Sequence, residues 1–545
     1  MLAAVRSAAV LGVEAYDVTV EVDCTRGLPQ WTIVGMAASS VKESRERVSA
    51  ALANSGIALP QRRITCNLAP ADVAKTGTAF DLPIAVALLV ALGIVDAAAV
   101  RDAVFLGELG LDGSVRPVRG VLSVARRLMQ GGAQHILVLP RANLAEASLV
   151  RDLALSAPTS IEELVAWLIS GTLQRAERMN NEYRAADGSD IGDVVGQAAA
   201  KRALEIAAAG GHNLLFIGPP GAGKTMLARR LPSILPALTE EESLEVTAIH
   251  SVAGLLNAST SLTIDRPFRA PHHSVSTAGL VGGGSTPRPG EVSLAHRGVL
   301  FLDELLEFPR HALESLRLPL EDGRVTIARA SSVICYPARF TLVAAMNPCP
   351  CGYYGDSTRV CGCSEADIQR YRSRLSGPLL DRIDLHVTLS RVPLRELGAH
   401  GTLESSDTVR QRVERTRAIQ RTRYADLGVT CNAQASGRAL LRALEKEART
   451  LLDDASESLA LSARAHHRIV KVARTIADLA GDDWIQTSHV AEALRYRPQV
   501  STAQVALRLE SAAADASLDA NVFRAGANTH ADAEPEQKRR AHSKR

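Results

Sequence analysis

The sequence predicts an α/β protein with a parallel sheet at its centre, an α+β region before it and a helical region after it. Between Asp190 and about Leu389, short apolar stretches alternate with helical patterns, which is typical of parallel α/β sheets. From about Arg391 to Pro498 the apolar residues recur at three- and four-residue spacing and indicate helices with one buried face. In the first 172 residues, alternating stretches such as Tyr16–Val22 mix with helical ones, which favours an α+β fold.

The chain of 545 residues is too long for a single hydrophobic core and is expected to form several domains. A polar stretch rich in Arg, Glu and Asn separates the first two regions, and a stretch rich in Ala, Asp, Glu and Lys ends the chain. We therefore predict an N-terminal domain at 1–172, a linker at 173–189, a core at 190–390 with a Cys-rich insert at 348–364, a helical C-terminal domain at 391–500 and a disordered tail at 501–545.

The composition excludes few classes of function. A net charge of +3 neither requires nor rules out a nucleic-acid partner, and an aromatic content of 3% leaves few side chains for stacking on bases. The longest apolar run, Leu82–Val95, contains Pro83 and is shorter than the roughly 20 residues that cross a bilayer. Cysteines such as Cys24 and Cys431 are scattered without a pairing pattern, which suits a reducing compartment. We therefore expect a cytoplasmic protein without a membrane-spanning segment.

A glycine-rich loop, the P-loop, predicts a nucleotide-binding site. It lies between an apolar strand, Asn213–Ile217, and a helix running from Met226, whose amino end favours anions. Its glycines allow backbone N–H groups to point at phosphates, its lysine is expected to reach the β- and γ-phosphates, and its threonine hydroxyl to bind Mg²⁺. The loop matches the pattern G-x-x-x-x-G-K-[ST] in full at Gly218, Pro219, Pro220, Gly221, Ala222, Gly223, Lys224 and Thr225. It predicts ATP and Mg²⁺ as cofactors.

Polar side chains also end two further apolar strands. Asp303 and Glu304 follow the strand Gly298–Leu302, and desolvating carboxylates at a buried strand end is costly unless they serve a ligand. We expect Asp303 to hold the Mg²⁺ shell and Glu304 to polarise the attacking water. Asn347 ends the strand Phe340–Met346 and is expected to orient that water, although an Asn before a Pro is also common in simple turns.

Four cysteines lie close together just after Asn347. Cys349 and Cys351 are separated by nine residues from Cys361 and Cys363. Four thiolates in one short segment can form a structural Zn²⁺ site, although the two C-x-C pairs are tighter than the usual C-x₂-C spacing. The sequence leaves zinc, unligated thiols and disulfides open. Bound zinc would brace the loop that follows and would not take part in catalysis.

Several longer motifs resemble one known family. Asp193–Gln197, the P-loop, Phe268–Ser274, Phe301–Leu305 and Ser376–Asp384 are similar to motifs of the magnesium-chelatase-like ComM/YifB family of bacterial AAA+ proteins, and the resemblance covers nearly the whole chain to about residue 498. It implies an AAA+ P-loop sheet with a helical lid, preceded by a Lon-protease-like N-terminal domain. It also implies a homo-oligomeric ring, which is expected to be a hexamer.

The same resemblance assigns further residues of the nucleotide site. Val194 and Val195 would line the adenine pocket, and Arg464 matches the sensor-2 arginine of the lid, with Arg468 as the second choice. Arg382 matches the arginine finger that this superclass delivers to the nucleotide of a neighbouring subunit, where it would stabilise charge on the γ-phosphate. An ion pair between this arginine and the preceding aspartate is the alternative.

Two segments resemble pore-lining elements of helicases in this superclass. Gly323–Pro337 alternates like a hairpin that would bring Arg324 and Arg329 to DNA phosphates, and Val281–Ser285 would be a mobile glycine-rich element. An ordinary edge hairpin is the alternative for the first segment. The helix predicted over Thr408–Arg423 carries six arginines and would face either DNA or a neighbouring subunit.

The N-terminal region resembles the proteolytic domain of Lon through Asn67–Asp72 and Lys75–Asp81. Lon-type proteases activate a serine with a lysine from a later helix. Thr78 stands at the serine position and Leu122 where the lysine belongs, so we expect no proteolysis, and Lys75 is a poor substitute base.

The resemblance implies an ATP-driven DNA helicase that promotes branch migration while transforming DNA is integrated. The alternative is a chelatase-like ATPase that remodels a protein partner, for instance during metal insertion. Single-stranded or branched DNA and further copies of this chain are the expected partners of the first activity.

Overall fold

The computed structural model describes residues 2–132, 135–177, 189–256, 262–284, 287–329, 332–356, 358–392 and 404–497. Most of the predicted linker, at 178–188, and the whole predicted tail at 501–545 lie outside the described residues. The same holds for 393–403 and 498–500 of the predicted C-terminal domain. The domain limits therefore stay predictions.

The N-terminal region contains a mixed, seven-stranded sheet. The strands of the whole region are β1 (Leu2–Leu11), β2 (Glu14–Thr25), β3 (Gln30–Val34), β4 (Arg63–Ala69), β5 (Ala103–Phe105), β6 (Glu108–Leu109), β7 (Val115–Arg116), β8 (Ile136–Val138) and β9 (Ala154–Ser156), of which all but β6 and β7 belong to this sheet. Its helices are α1 (Ser39–Lys42), α2 (Ser44–Asn54), α3 (Asp81–Ala91), α4 (Ala97–Val100), α5 (Val121–Gln130), α6 (Leu144–Ala147) and α7 (Ile161–Ile169).

The order of the N-terminal sheet is β3-β4-β2-β1-β5-β8-β9, and β6 and β7 form a separate ribbon. Strand β2 is antiparallel to β1 and β4, whereas the other pairs are parallel. Helix α3 is buried along its whole length, because it packs against β1 and β2 inside the region's own hydrophobic core. This mixture of strands and helices confirms the predicted α+β arrangement.

The core contains a five-stranded sheet, in which every pair of neighbours is parallel. The strands of the core are β10 (Leu214–Ile217), β11 (Phe268–Arg269), β12 (Gly282–Gly283), β13 (Arg288–Pro289), β14 (Val299–Leu302), β15 (Arg324–Arg329), β16 (Ser332–Pro337), β17 (Thr341–Met346) and β18 (Leu385–Thr388). Its helices are α8 (Ala198–Gly210), α9 (Lys224–Ile234), α10 (Glu240–Ala253), α11 (Thr277–Val281), α12 (Glu291–Leu294), α13 (Arg310–Ser315), α14 (Arg317–Asp322), α15 (Glu365–Arg372) and α16 (Gly377–Leu380).

The order β11-β14-β17-β10-β18 places the strand before the P-loop beside the strand that ends at Asn347. Successive residues of β10 face opposite cores: Leu214 packs with α8 and α9, whereas Leu215 packs in a second cluster that includes Leu313. At the carboxyl end, Ile217 pairs with Met346. Because the carboxyl ends of parallel strands meet at one edge, the residues after β10, β14 and β17 converge there.

A two-stranded hairpin forms over the predicted segment Gly323–Pro337, which confirms the hairpin, while its role at DNA stays a prediction. Strands β15 and β16 pair in antiparallel register, and both Arg324 and Arg329 are exposed on β15. The glycine-rich element predicted at Val281–Ser285 contributes β12, which pairs with β13, although Ser285 itself lies outside the described residues. The hydroxyl group of Tyr336 on β16 donates to the carbonyl oxygen of Pro287, at 3.2 Å. The two hairpins are therefore in contact with each other.

The C-terminal region is helical, as predicted. Its helices are α17 (Ser406–Arg423), α18 (Gly437–Leu440), α19 (Lys446–Ser458), α20 (Ala463–Ala480) and α21 (Thr487–Arg495). Apolar residues of α20, such as Ile469 and Ile476, share one hydrophobic core with Leu214 of the parallel sheet. No helix in the described part of the chain is both long and apolar enough to span a bilayer.

The arginine-rich helix α17 holds the C-terminal region to the core. Arg415, Arg421 and Arg423 are exposed, and Arg415 donates to the carbonyl oxygen of Gln411 in the same helix, at 3.3 Å. Four of the six arginines bind acceptors outside the helix. Their partners are Ser233 and Asp407 for Arg410, Glu205 and Glu404 for Arg412, Ala208 for Arg417, and Asp478 for Arg423. Internal acceptors thus already bind the guanidinium groups of these four arginines, and contact of the helix with DNA or with a neighbouring subunit stays a prediction.

An ion pair with a buried carboxylate also joins the sheet to the lid. Asp384, just before β18, is 4% exposed and forms an ion pair with Arg468 of α20. Its second oxygen lies 3.1 Å from Nδ1 of the fully buried His212, whose Nε2 lies 2.8 Å from the Thr475 hydroxyl. Burial alone would raise the pKa of the Asp384 carboxyl, but Arg468 and His212 hold it well below its usual value. The orientation of α20 therefore depends on this carboxylate.

Candidate nucleotide-binding site

The P-loop connects the carboxyl end of β10 to the first turn of α9. Gly221 and Gly223 have φ values of +80° and +86°, a left-handed conformation that glycine adopts without a steric penalty. A cavity of about 380 Å³ opens at this point, at the edge of the sheet where the strands end. It is lined by Pro220, Gly221, Ala222, Gly223, Lys224, Thr225, Met226, Asp303, Glu304, Met346 and Asn347. The predicted loop, acids and amide thus meet in one place.

Lys224 lies over this cavity and is held by oxygen atoms. Its ammonium group donates to the carbonyl oxygens of Gly218 and Pro219, at 2.5 and 3.1 Å, and to Oδ1 of Asn347, at 2.9 Å. Burial lowers the pKa of the Lys224 ammonium, and the nearby carboxylates of Asp303 and Glu304 act in the opposite direction. The contact with Asn347 places the end of β17 directly beside the phosphate-binding lysine.

Thr225 and Asp303 form the part of the site suited to a divalent cation. The Thr225 hydroxyl donates to Oδ2 of Asp303, at 2.6 Å, and the backbone N–H of Glu304 donates to Oδ1, at 3.0 Å. Hydroxyl and carboxylate oxygens are the hard ligands that Mg²⁺ prefers in proteins, with nucleotide phosphates completing the shell. The donor set present here therefore fits the predicted Mg²⁺ ion.

Glu304 projects into the open part of the cavity, with 58% of its side chain exposed. Its φ of +51° is unusual for a residue with a Cβ and costs on the order of 1–3 kcal/mol. Nδ1 of His273 lies 3.4 Å from the Glu304 carboxylate. His273 was missed as a site residue by sequence reasoning, although it lies in the motif Phe268–Ser274 and follows β11, the strand beside β14.

The segment Asp193–Gln197 lies against the P-loop. The Gln197 side-chain amide donates to the carbonyl oxygen of Ala222, at 3.2 Å, and to that of Ser390, at 2.7 Å. Val194 is buried, and Val195 is half-buried. Val194 and Val195 therefore belong to a segment that lies beside the P-loop in space. Their contact with adenine stays a prediction. Gln197, which fixes this segment, was not singled out from the sequence.

Arg382, the predicted arginine finger, is buried in its own subunit. Its guanidinium group donates to the carbonyl oxygens of Arg317 and Pro378, at 3.2 and 2.6 Å, and pairs with Glu321. The alternative, an ion pair with the preceding aspartate, is wrong, because Arg382 pairs with Glu321 instead. To reach a neighbouring subunit, Arg382 must leave these contacts, so its role in trans stays a prediction.

The two candidates for the sensor-2 arginine have different surroundings. Arg464 is the second residue of α20 and is exposed, whereas Arg468, one turn later, is bound to Asp384. Because the guanidinium group of Arg468 already has a buried partner, Arg464 remains the preferred candidate to contact nucleotide.

The four clustered cysteines also converge. Their sulfur atoms all lie within 4.8 Å of one another, and all eight cysteines of the chain are free thiols. The cluster begins two residues after Asn347, so it borders the cavity described above.

In the N-terminal region, the predicted protease-like residues do not come together as a serine–lysine pair would. The Thr78 hydroxyl donates to the carboxylate of Glu108, and Lys75 is buried with its ammonium group on the carbonyl oxygen of Pro70. Leu122 is fully buried in α5. A carboxylate, which the sequence did not suggest, is thus the partner of Thr78, and the expected lack of proteolysis stays a prediction.

Three family models match successive parts of the chain. The model described as "Magnesium chelatase, subunit ChlI" matches residues 190–397, which include the whole nucleotide site. "Subunit ChlI of Mg-chelatase" matches residues 20–143, and "Magnesium chelatase, subunit ChlI C-terminal" matches residues 403–497.

Several proteins are similar over most of their length. Competence protein ComM of Haemophilus influenzae is 44% identical over 515 residues, which cover 92% of this chain and 99% of ComM. YifB of Escherichia coli is 43% identical over 500 residues, or 91% of this chain and 97% of YifB. A protein of Mycobacterium tuberculosis, described as uncharacterized, is 45% identical over 494 residues, or 90% of this chain and 97% of that protein. With this likeness and the P-loop geometry, the chain belongs to the ComM/YifB family of magnesium-chelatase-like AAA+ proteins.

Proposed function

We propose that this protein hydrolyses ATP with Mg²⁺ and uses that energy to move DNA, as a ring of identical subunits. The observation that carries the ATPase part is the convergence of Lys224, Thr225, Asp303, Glu304 and Asn347 on one cavity. They come from the ends of three strands that lie far apart in the sequence, and together they provide a cation, a metal-ligand pair, a carboxylate base and an amide.

Each residue has one role in the proposed reaction. Lys224 binds the β- and γ-phosphates, and Thr225 and Asp303 hold Mg²⁺, which when bound neutralises charge on those phosphates. Glu304 accepts a hydrogen bond from the attacking water, and Asn347 fixes the position of that water beside Lys224. Arg382 completes the site of a neighbouring subunit, and this requirement for a second subunit is the reason for proposing a hexameric ring.

Two observations support DNA as the substrate of the motor. The hairpins β12–β13 and β15–β16 pack on each other, and β15 carries the exposed Arg324 and Arg329, which suit phosphate contacts. The relative from Haemophilus influenzae is named a competence protein. We propose single-stranded or branched DNA as the partner, branch migration during natural transformation as the process, and the cytoplasm, where ATP and free thiols are maintained, as the location.

Remodelling of a protein partner is the second candidate function. It is favoured by one observation, the match of three successive regions to magnesium-chelatase subunit models. The two functions predict different activators of ATP hydrolysis, which are DNA in the first case and a protein in the second.

The test measures ATP hydrolysis with and without single-stranded or forked DNA, together with unwinding of a Holliday junction. We expect DNA to stimulate hydrolysis by the wild type, and Lys224→Ala to abolish hydrolysis and unwinding. The double variant Arg324→Ala/Arg329→Ala should bind DNA more weakly, and the slope of its affinity against salt should fall by roughly one unit for each phosphate that is no longer bound. Arg415→Ala/Arg421→Ala is the matched control, because it removes two exposed arginines from α17 instead.

The outcomes separate the candidates. Absence of DNA binding at low salt, with no stimulation of hydrolysis, contradicts the DNA motor and favours remodelling of a protein. Equal weakening of DNA binding in both double variants contradicts the role given to the β15–β16 hairpin.

A further inference from the structure

The cysteine cluster next to the nucleotide site has the geometry of a metal-binding centre. Sγ of Cys349 lies 3.3 Å from Sγ of Cys351 and 3.6 Å from Sγ of Cys361, and the last two sulfurs are 3.5 Å apart. Cys363 completes a group in which all four sulfurs lie within 4.8 Å. We propose that these four thiolates bind one structural Zn²⁺ ion, which fixes the position of Asn347 relative to the P-loop for ATP hydrolysis.

The spacing of the sulfurs fits four-coordinate zinc. Zinc–sulfur bonds of about 2.3 Å in a tetrahedron place the sulfurs about 3.8 Å apart. The three separations among Cys349, Cys351 and Cys361, at 3.3–3.6 Å, are close to that value and far from the length of about 2.05 Å of a disulfide bond. Four thiolates fill all four positions of such an ion, so the site is suited to structure and not to binding a substrate.

The backbone is folded to present the sulfurs inwards. Cys349 and Cys351 lie on a turn in which the N–H of Gly352 donates to the Cys349 carbonyl oxygen, at 3.0 Å. The backbone N–H of Tyr354 donates to Sγ of Cys349, at 3.3 Å, and that of Cys363 donates to Sγ of Cys361, at 3.4 Å. Backbone donors aimed at sulfur stabilise thiolates, which are the form of cysteine that binds metal.

The second half of the cluster is fixed by the helix that follows it. Ser364 begins α15 by accepting a hydrogen bond from the backbone N–H of Asp367, at 3.2 Å. From the last turn of α15, Nε of Arg372 donates to the carbonyl oxygen of Pro348, at 3.2 Å, and the guanidinium group stacks on the ring of Tyr354, at 5.3 Å. These contacts hold the two pairs of cysteines close together, although nine residues separate the pairs in the sequence.

The cysteine cluster is also in contact with the P-loop. Gly352 has a φ of +85°, and a Cβ at this position would lie 2.8 Å from Cδ of Pro220 and 3.8 Å from Cγ of Asn347. The turn that carries two of the thiolates therefore packs directly on the P-loop. Because only Pro348 separates Asn347 from Cys349, a shift of the turn moves the amide that contacts Lys224. This coupling, unlike the metal binding itself, rests on the proposed ATP hydrolysis.

The first experiment measures metal in the full-length protein by mass spectrometry, after purification without chelators or a metal-binding tag. We expect about one zinc ion per chain in the wild type, none in Cys361→Ser/Cys363→Ser, and unchanged zinc in the control Cys335→Ser, which replaces an exposed cysteine outside the cluster. Zinc retained by the double variant overturns the proposal. So does wild type that contains no zinc and takes up none when Zn²⁺ is added under reducing conditions.

A second measurement does not depend on the folding of a variant. Wild type is loaded with Co²⁺ in place of zinc, and we expect the thiolate charge-transfer absorption of tetrahedral cobalt, which a thiol-directed mercurial should abolish. A cobalt spectrum without thiolate bands contradicts the four-cysteine site.

The third measurement tests the coupling. We expect the kcat for ATP to fall on the order of tenfold to a hundredfold when zinc is removed, as for a catalytic group displaced by about 1 Å, and to recover when Zn²⁺ is restored. Zinc-free protein with undiminished kcat contradicts the coupling, whereas zinc-bound protein that hydrolyses no ATP contradicts the proposed function and leaves the metal site standing.

Discussion

Replacing Asn347 by alanine tests whether this residue is part of the ATPase machinery or only ends a strand. The amide Oδ1 of Asn347 accepts a hydrogen bond from the ammonium group of Lys224, at 2.9 Å, inside the cavity at the strand ends. Asn347→Ala removes that acceptor and the group proposed to position the attacking water. A residue that only forms a turn would leave kcat unchanged when it is replaced.

The expected fall in kcat follows from this one hydrogen bond. Hydrogen bonds to charged groups are worth about 1.5–3 kcal/mol, and each 1.36 kcal/mol corresponds to a factor of ten in rate, so kcat should fall roughly 10- to 150-fold. Two carbonyl oxygens, those of Gly218 and Pro219, still hold Lys224 in the variant, so nucleotide affinity should change much less than kcat.

The assay is steady-state ATP hydrolysis at saturating Mg²⁺ and ATP, together with equilibrium binding of a nonhydrolysable analogue. Asn67→Ala is the control, because it also removes a side-chain amide that forms a hydrogen bond, to the Glu21 carboxylate, but in the N-terminal sheet. The control should retain kcat within about twofold, as substitutions away from a site usually do. A kcat for Asn347→Ala within the same range would refute the catalytic role.

Three further predictions concern stability and the N-terminal region. Asp384→Asn should destabilise the core and lid by about 1.5–3 kcal/mol, measured by urea denaturation, because it removes the buried carboxylate that pairs with the partly exposed Arg468 and with His212; a decrease below about 0.5 kcal/mol would contradict this role of the carboxylate. The hydrogen bond from His296 lowers the pKa of Glu245 to about 2, against the effect of burial. The ionised Glu245 carboxylate therefore contributes its full stabilisation above the pKa that this group has in the unfolded chain, and the stabilisation is lost as the pH falls towards 2. Glu245→Gln should flatten that part of the pH profile of unfolding, and an unchanged profile would contradict the assignment. Thr78→Ala should leave casein degradation at the same background level as the wild type, whereas wild-type degradation that this variant abolishes would overturn the interpretation of the N-terminal domain.

The sequence was sufficient to predict the centre of the site because its parts lie at strand ends. An apolar run that ends in Asp303 and another that ends in Asn347 can be recognised without any tertiary information, and a parallel sheet then brings both to the P-loop. The hairpin at 323–337 was predictable for a similar reason, since its alternation of side chains is local.

Contacts that depend on how loops and helices pack could not be predicted from the sequence. His273 contacts Glu304 only because β11 lies beside β14. Gln197 contacts Ala222 of the P-loop although the two are 25 residues apart in the sequence. The arginines of α17 resembled an open basic face, since several of their partners, such as Glu205 and Asp478, come from distant segments. The pairing of Arg382 with Glu321 depends in the same way on the approach of two helices.

The most direct test of the central claim is ATP turnover by Glu304→Gln, measured on protein whose binding of ATP and Mg²⁺ has been verified. The amide keeps the size of the side chain but cannot act as a base, so turnover should fall on the order of a hundredfold or more while the nucleotide stays bound. Turnover close to that of the wild type would contradict the role of this carboxylate, and with it the assignment of the cavity between Lys224 and Asp303 as the site of ATP hydrolysis.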